Sequence, residues 1–151
     1  MAAQQMTDDE RDAFLAEPHI GVLSVASDDG RPPHTVPLFY GYEPVGNLTF
    51  YTQTHGRVAR KTRLIEAAGA VSLNVQKPTY PYRYVTIEGT VIGTDRPPSR
   101  EQMLAIVGRY LPARGAAKFV ETELGHPYQR LVLFTVRPDR FLTFDVAKQG
   151  Q

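Results

Sequence analysis

The chain has 151 residues, 42% of them hydrophobic, which is enough for one self-sufficient core, so a single domain over 1–151 is expected. Its 17 Lys and Arg against 16 Asp and Glu leave a net charge of +1, so no global field favours nucleic acid or an anionic membrane as partner and any basic site must be local. The lack of Cys excludes disulfides, thiolate metal sites and thiol nucleophiles, and His19, His34, His55 and His126 lack the spacing of a metal set.

The first residues carry early acids and no apolar signal core, and no later stretch is uniformly apolar, which points to a cytoplasmic protein. Thr7 followed by Glu10 has capping-box spacing and predicts a short helix from Thr7 to Glu17, ended by Pro18. His19 to Ala26 is rich in β-formers and closes on a Ser27 to Gly30 turn. The chain resumes as the strand HTVPLFYGYE, turns at Gly46-Asn47 and continues as LTFYTQT, a meander of three strands. From Arg57 to Ala68 the apolar period becomes helical, predicting a short basic helix that Gly69 terminates.

AVSLNVQ and YRYVTIEGTVIG are two further strands joined by the proline-bearing KPTYP. Ser99 and Gln102 form a second capping box, opening a helical insertion over about 99–124 that breaks at Pro112. RLVLFTVRP and RFLTFDV then return as two strands. Six or seven antiparallel strands with peripheral helices predict a mainly β (α+β) domain, a small barrel whose closure hides its edges.

No nucleophile elbow, metalloprotease helix, phosphate-binding glycine loop or dinucleotide fingerprint is present, so chemistry brought by a cofactor is the best-supplied mechanism and no catalytic residue is assigned. Thr52, Gln53 and Thr54 at a strand end run into Arg57, Arg60, Lys61 and Arg63, a composition suited to a phosphate, although the same cations can be the solvated face of a helix. Pro37 implies an edge strand, a bulge or a flat ligand against the backbone. Tyr80, Tyr82 and Tyr84 alternate, and their rings can stack on a planar group or form a dimer or core surface.

In order and content, IGVLSV, DDGRPPHTVPLFYGYE, GNLTFYTQTHGRVARKTRLIEAAGAVSLNVQ and YRYVTIEGTV resemble the pyridoxamine 5'-phosphate oxidase-like split β-barrel superfamily, in particular its short flavin/deazaflavin oxidoreductase branch. The resemblance spans about residues 13 to 95. It implies a homodimer with two cofactor clefts at the interface, Val36, Pro37, Leu38 and Phe39 beneath the ring, Thr52, Gln53 and Thr54 near the ribityl chain, and Arg60, Lys61 and Arg57 on the phosphate. It further implies hydride transfer between a bound F420 or FMN and a small conjugated organic substrate, or, as the alternative, a non-catalytic carrier of flavin, F420 or haem. Two departures bear on this. TFDVAKQGQ lacks the arginine-rich substrate motif of authentic pyridoxamine phosphate oxidases, and HTVPLFYGYE lacks their phosphate-binding arginine, which tilts the cofactor towards F420 with its longer acidic tail.

Overall fold

The structure, a computed structural model, describes residues 4–55 and 59–148. In chain order the elements are α1 (Asp8–Ala16), β1 (Gly21–Val25), β2 (His34–Leu38), β3 (Gly41–Tyr42), β4 (Leu48–His55), α2 (Arg60–Ala68), β5 (Ala70–Lys77), β6 (Arg83–Asp95), α3 (Arg100–Val107), α4 (Ala113–Gly125) and β7 (Gln129–Asp145), followed by a 3-10 turn at Val146–Lys148. Both capping boxes are present, Thr7 with Glu10 on α1 and Ser99 with Gln102 on α3. Among the described residues no helix is long and apolar enough to cross a membrane.

All pairings are antiparallel within one seven-stranded sheet of order β2-β1-β5-β6-β7-β4-β3. The two edge strands, β2 and β3, are consecutive in sequence and separated only by Phe39 and Tyr40. Laid flat, they would lie roughly 29 Å apart at ~4.8 Å per strand. Leu38 and Gly41 can be at most about 11 Å apart along the chain. The sheet must therefore curl until its edges approach, which makes a half-barrel. The edges remain unpaired with each other, so the expected hiding of edges by closure is replaced by a two-residue crossover.

Three expected elements are redrawn. HTVPLFYGYE is two strands, because Phe39 and Tyr40 carry the chain from one sheet edge to the other. RLVLFTVRP and RFLTFDV form the single long β7, in which Glu88 pairs with Arg140 and Gly89 with Pro138, so Asp139 is an extra residue that absorbs the proline as a bulge. The basic helix begins at Arg60 rather than at Arg57, with Ala59 extended as its N-cap, and the expected Arg57 contact lies outside the described residues. It ends on Gly69 at φ 70, a left-handed position open to glycine.

The curl encloses a core of Phe14 and Leu15 from α1, Leu64 and Ile65 from α2, and the inward residues of the sheet, among them Leu23, Phe50, Leu73, Ile87 and Phe134. On the opposite face of β4 and β7 a second cluster forms as Met103, Val107, Ala116 and Val120 of the α3–α4 pair close over Leu131. Both faces of β7 are thus covered at its start, which explains the unbroken apolar run Leu131 to Phe134 in place of alternation.

Candidate functional site

Helix α2 packs against β1 and β5, and its seat on β4 is a buried hydroxyl pair, Thr52 Oγ1 to Thr62 Oγ1 at 2.7 Å. Thr52 is thereby turned inward and fixes the helix, Thr54 is also buried, and Gln53 points to the other face, where its Oε1 accepts a hydrogen bond from Gln129 Nε2 at 3.1 Å. The three consecutive candidates of β4 thus divide between the two sides of the sheet.

The basic face of α2 meets the β1–β2 hairpin. Arg60 donates from Nη1 to His34 Nδ1 at 3.1 Å and from Nη2 to Ser27 Oγ at 2.9 Å, and lies 3.5 Å from Asp29 Oδ1. Arg63 donates to Asp28 Oδ2 at 2.5 Å. Lys61 is half-buried, which lowers its ammonium pKa, and among the described residues it has no carboxylate partner. His34 is pushed below its ordinary value by burial first and then by the charges of Arg60, Lys61 and Arg31, so these groups share one neighbourhood at the start of β2. The imidazole is consequently neutral at pH 7 and accepts from Arg60.

The β2 candidates alternate in the same way as those of β4. Val36 and Leu38 pack against the core, whereas Pro37 is exposed. Pro37 sits on an edge strand, where its missing N–H leaves no ladder bond unmade. On the outer face it stands opposite Val22, in a row that continues through Asn74 and Thr86 to Leu142. Phe39 is not in that row. It lies in the crossover, its ring stacked on Tyr110 with centroids 4.1 Å apart and planes 8° apart.

That crossover is clamped by Arg109 and Tyr110, just beyond the end of α3, residues to which the sequence assigns no role at a site. Arg109 donates to the carbonyl oxygen of Tyr40 and to those of Leu15 at 2.7 Å and Glu17 at 3.1 Å, with its guanidinium 4.4 Å above the Tyr40 ring. Tyr110 donates to His19 O at 2.8 Å and accepts from Tyr40 N at 3.1 Å. The alternating tyrosines, by contrast, pack: Tyr84 stacks on Phe144 at 5.6 Å and Tyr82 tilts against both, while Tyr80 is exposed.

Three grooves lie elsewhere: about 420 Å³ along Ser24, Ser72 and Glu88, about 420 Å³ between Phe14, Glu17 and Arg83, and about 290 Å³ between Tyr42, Asn47 and Arg137. None of the three is lined by α2. The structure therefore brings together Arg60, Lys61, His34 and the hairpin tip, and leaves Phe39 and Gln53 at separate places on the sheet.

The sequence profile described as pyridoxamine 5'-phosphate oxidase matches residues 7–142. Nothing among the curated proteins matches the chain. Among solved structures, one described as an F420 reductase is 27% identical, covering 87% of this chain and 94% of its own at a TM-score of 0.62. A conserved hypothetical protein from Mycobacterium tuberculosis is 18% identical over 100% of this chain and 92% of its own, with a TM-score of 0.70. A FAD-binding protein from Mesorhizobium loti is 19% identical over 93% of each chain, with a TM-score of 0.59. The last two establish likeness of fold.

Proposed function

The chain belongs to the pyridoxamine 5'-phosphate oxidase family, and on that premise we propose that it is an oxidoreductase that holds a flavin-type cofactor, F420 or FMN, and acts on a small conjugated organic substrate. The observation that carries the reading is Lys61: a half-buried ammonium with no carboxylate partner among the described residues is disfavoured unless an anion compensates it. A phosphate or acidic tail is such an anion. The 27% identity to an F420 reductase favours the deazaflavin of the two.

In this reading Lys61, with Arg60 and Arg57, holds the anionic tail, and Thr54 borders it at the end of β4, whereas Gln53 faces Gln129 on the other side of the sheet and takes no part. Thr52 acts through Thr62 by fixing α2 in place. Neutral His34 accepts from Arg60 and adds no further positive charge. The open edge of β2, with Val36, Pro37 and Leu38, offers main chain against which a planar ring can lie, and Phe39 follows it in the crossover. The bound cofactor would supply the hydride chemistry, and the chain supplies placement and shielding from water. The outer-face row from Pro37 and Val22 to Leu142 suits a second copy of the chain, which would complete the cleft as a homodimer.

The purified protein titrated with FMN and with F420, followed by fluorescence, should bind one of them at micromolar concentration, and sedimentation should give twice the chain mass. Binding of neither removes the proposal. Assay of the loaded protein with quinones and enones then separates enzyme from carrier, because a carrier binds cofactor yet shows no substrate-dependent oxidation.

A further inference from the structure

We infer that Asp28 and Asp29, at the tip of the β1–β2 hairpin, set how much negative charge the α2 site accepts, by occupying Arg63 and Arg60 and leaving Lys61 as the one cation of the helix's described residues free to bind. The inference rests on the reading that α2 grips a cofactor's anionic tail, and it deepens that reading by naming what limits the tail.

The hairpin tip and the helix are distant in sequence, and the fold sets them face to face. Arg63 Nη1 lies 2.5 Å from Asp28 Oδ2, and Arg60, which donates to His34 Nδ1 and Ser27 Oγ, has its Nη2 3.5 Å from Asp29 Oδ1. The tip carries its own scaffold: Ser27 Oγ donates to Pro32 O at 2.7 Å, Arg31 N donates to Asp29 Oδ1 at 3.2 Å, and Gly30 takes a left-handed φ of 77. The Asp29 carboxylate is therefore presented by the turn and is not drawn there by the arginine alone. Asp29 is held below the usual carboxylate range, first by the Arg31 amide and then by the nearby Arg60 and Arg31 charges, so it is ionised at neutral pH.

The charges decide the specificity. Arg60, Lys61 and Arg63 bring three positive charges to this end of the helix and Asp28 and Asp29 bring two negative ones, so Lys61 is the helix's remainder, beside the further positive charge of Arg31 on the tip itself. A phosphate monoester, with a charge of about −1.5 to −2, can be met by one lysine and neighbouring amides. A tail of several carboxylates needs Arg60 and Arg63 as well. Both pairs are reachable by water, with side-chain exposures of 26% and 43% for Arg60 and Asp29 and of 50% and 45% for Arg63 and Asp28, so an anionic ligand can exchange for the aspartates without unfolding the hairpin.

The test compares the intact protein, Asp28→Asn/Asp29→Asn and Lys61→Ala, each titrated with three probes: FMN, F420 carrying two tail glutamates, and F420 carrying five. The double variant should tighten binding of the longest tail by about 10-fold, the shorter tail by less, and FMN by under about 3-fold. An equal gain for all three probes, which a long-range field would give, overturns the inference, as does no gain. Circular dichroism confirms folding. Should the double variant fold poorly, Asp28→Asn alone releases only Arg63 and should give a smaller preference of the same sign; no preference overturns the inference. Lys61→Ala should weaken every probe in both backgrounds. If it changes none while the aspartate variant still sorts the tails, the role of Lys61 fails and the metering stands; if no probe binds the intact protein, both fall.

Discussion

At the β2–β3 crossover Arg109 donates to three main-chain carbonyls and lies over a buried tyrosine ring, whereas at the start of α2 Arg60 and Arg63 face carboxylates on an exposed turn. The residue type is the same and the physics differs. Carbonyl partners are fixed by the backbone and cannot leave, so Arg109 is part of the frame that joins α1, the crossover and the end of α3. Carboxylate partners resemble the anions a cofactor would bring, so, while His34 and Ser27 keep Arg60 in place, the contacts of Arg63 with Asp28 and of Arg60 with Asp29 are ones a ligand can replace. Between them Lys61 has no partner at all among the described residues.

Removing the frame should have the largest effect. Arg109→Ala leaves the carbonyls of Tyr40, Leu15 and Glu17 short of a charged donor and should lose roughly 2–4 kcal/mol in urea denaturation. Arg109→Lys should recover little, because an ammonium cannot span three acceptors as a planar fork does. A loss below about 1 kcal/mol would mean that the crossover is held by its aromatic contacts alone. The ligand side should behave in the opposite manner: Lys61→Ala should weaken cofactor binding by roughly 1.5–3 kcal/mol, the range for charge-assisted hydrogen bonds, with little change in melting temperature. Unchanged affinity would assign Lys61 to the solvated surface.

The contrast also separates what could be read from the sequence. Both helix starts with capping boxes and the Gly69 stop follow from local rules and are as the residues imply, and Pro37 takes the edge, one of the three settings its sequence allows. The runs RLVLFTVRP and RFLTFDV read locally as two strands that part after Pro138, and only the pairing of β6 with β7 reveals the extra residue that accommodates the proline. The frame was invisible for a related reason: Arg109 acts on carbonyls 69 and 94 residues away, and neither it nor Tyr110 belongs to a motif. At the candidate site the cations were legible as a cluster, but the turn signal of Asp28 and Asp29 does not say where the tip lands. Strand periodicity, applied to Thr52 and Gln53, would have placed them on opposite faces.

Two milder changes should cost less. Tyr110→Phe removes one hydroxyl that donates to His19 O and accepts from Tyr40 N, and should lose about 1–2 kcal/mol in urea denaturation while keeping the stack on Phe39. Arg63→Ala removes an exposed pair with Asp28 and should change stability by about 0–1 kcal/mol. If Arg63→Ala proved as damaging as Arg109→Ala, the α2 contacts would be part of the frame and not exchangeable with a ligand.

The smallest effect concerns His34, where the two kinds of contact meet. Its value in the folded protein lies below the ordinary 6.5, through burial and then through Arg60, Lys61 and Arg31. The unfolded chain therefore takes up a proton more readily than the folded one. The stability this histidine contributes is complete above pH 6.5 and is lost as pH falls through the folded value. His34→Gln should flatten that part of the stability profile by no more than about 1–3 °C in melting temperature. An anion bound beside Lys61 offsets the positive charges that lower the imidazole, so an NMR titration of His34 should show its pKa rising when FMN is added. A pKa that ignores the ligand would place the bound anion away from the start of β2, and with it away from the α2 cations that the hairpin tip restrains.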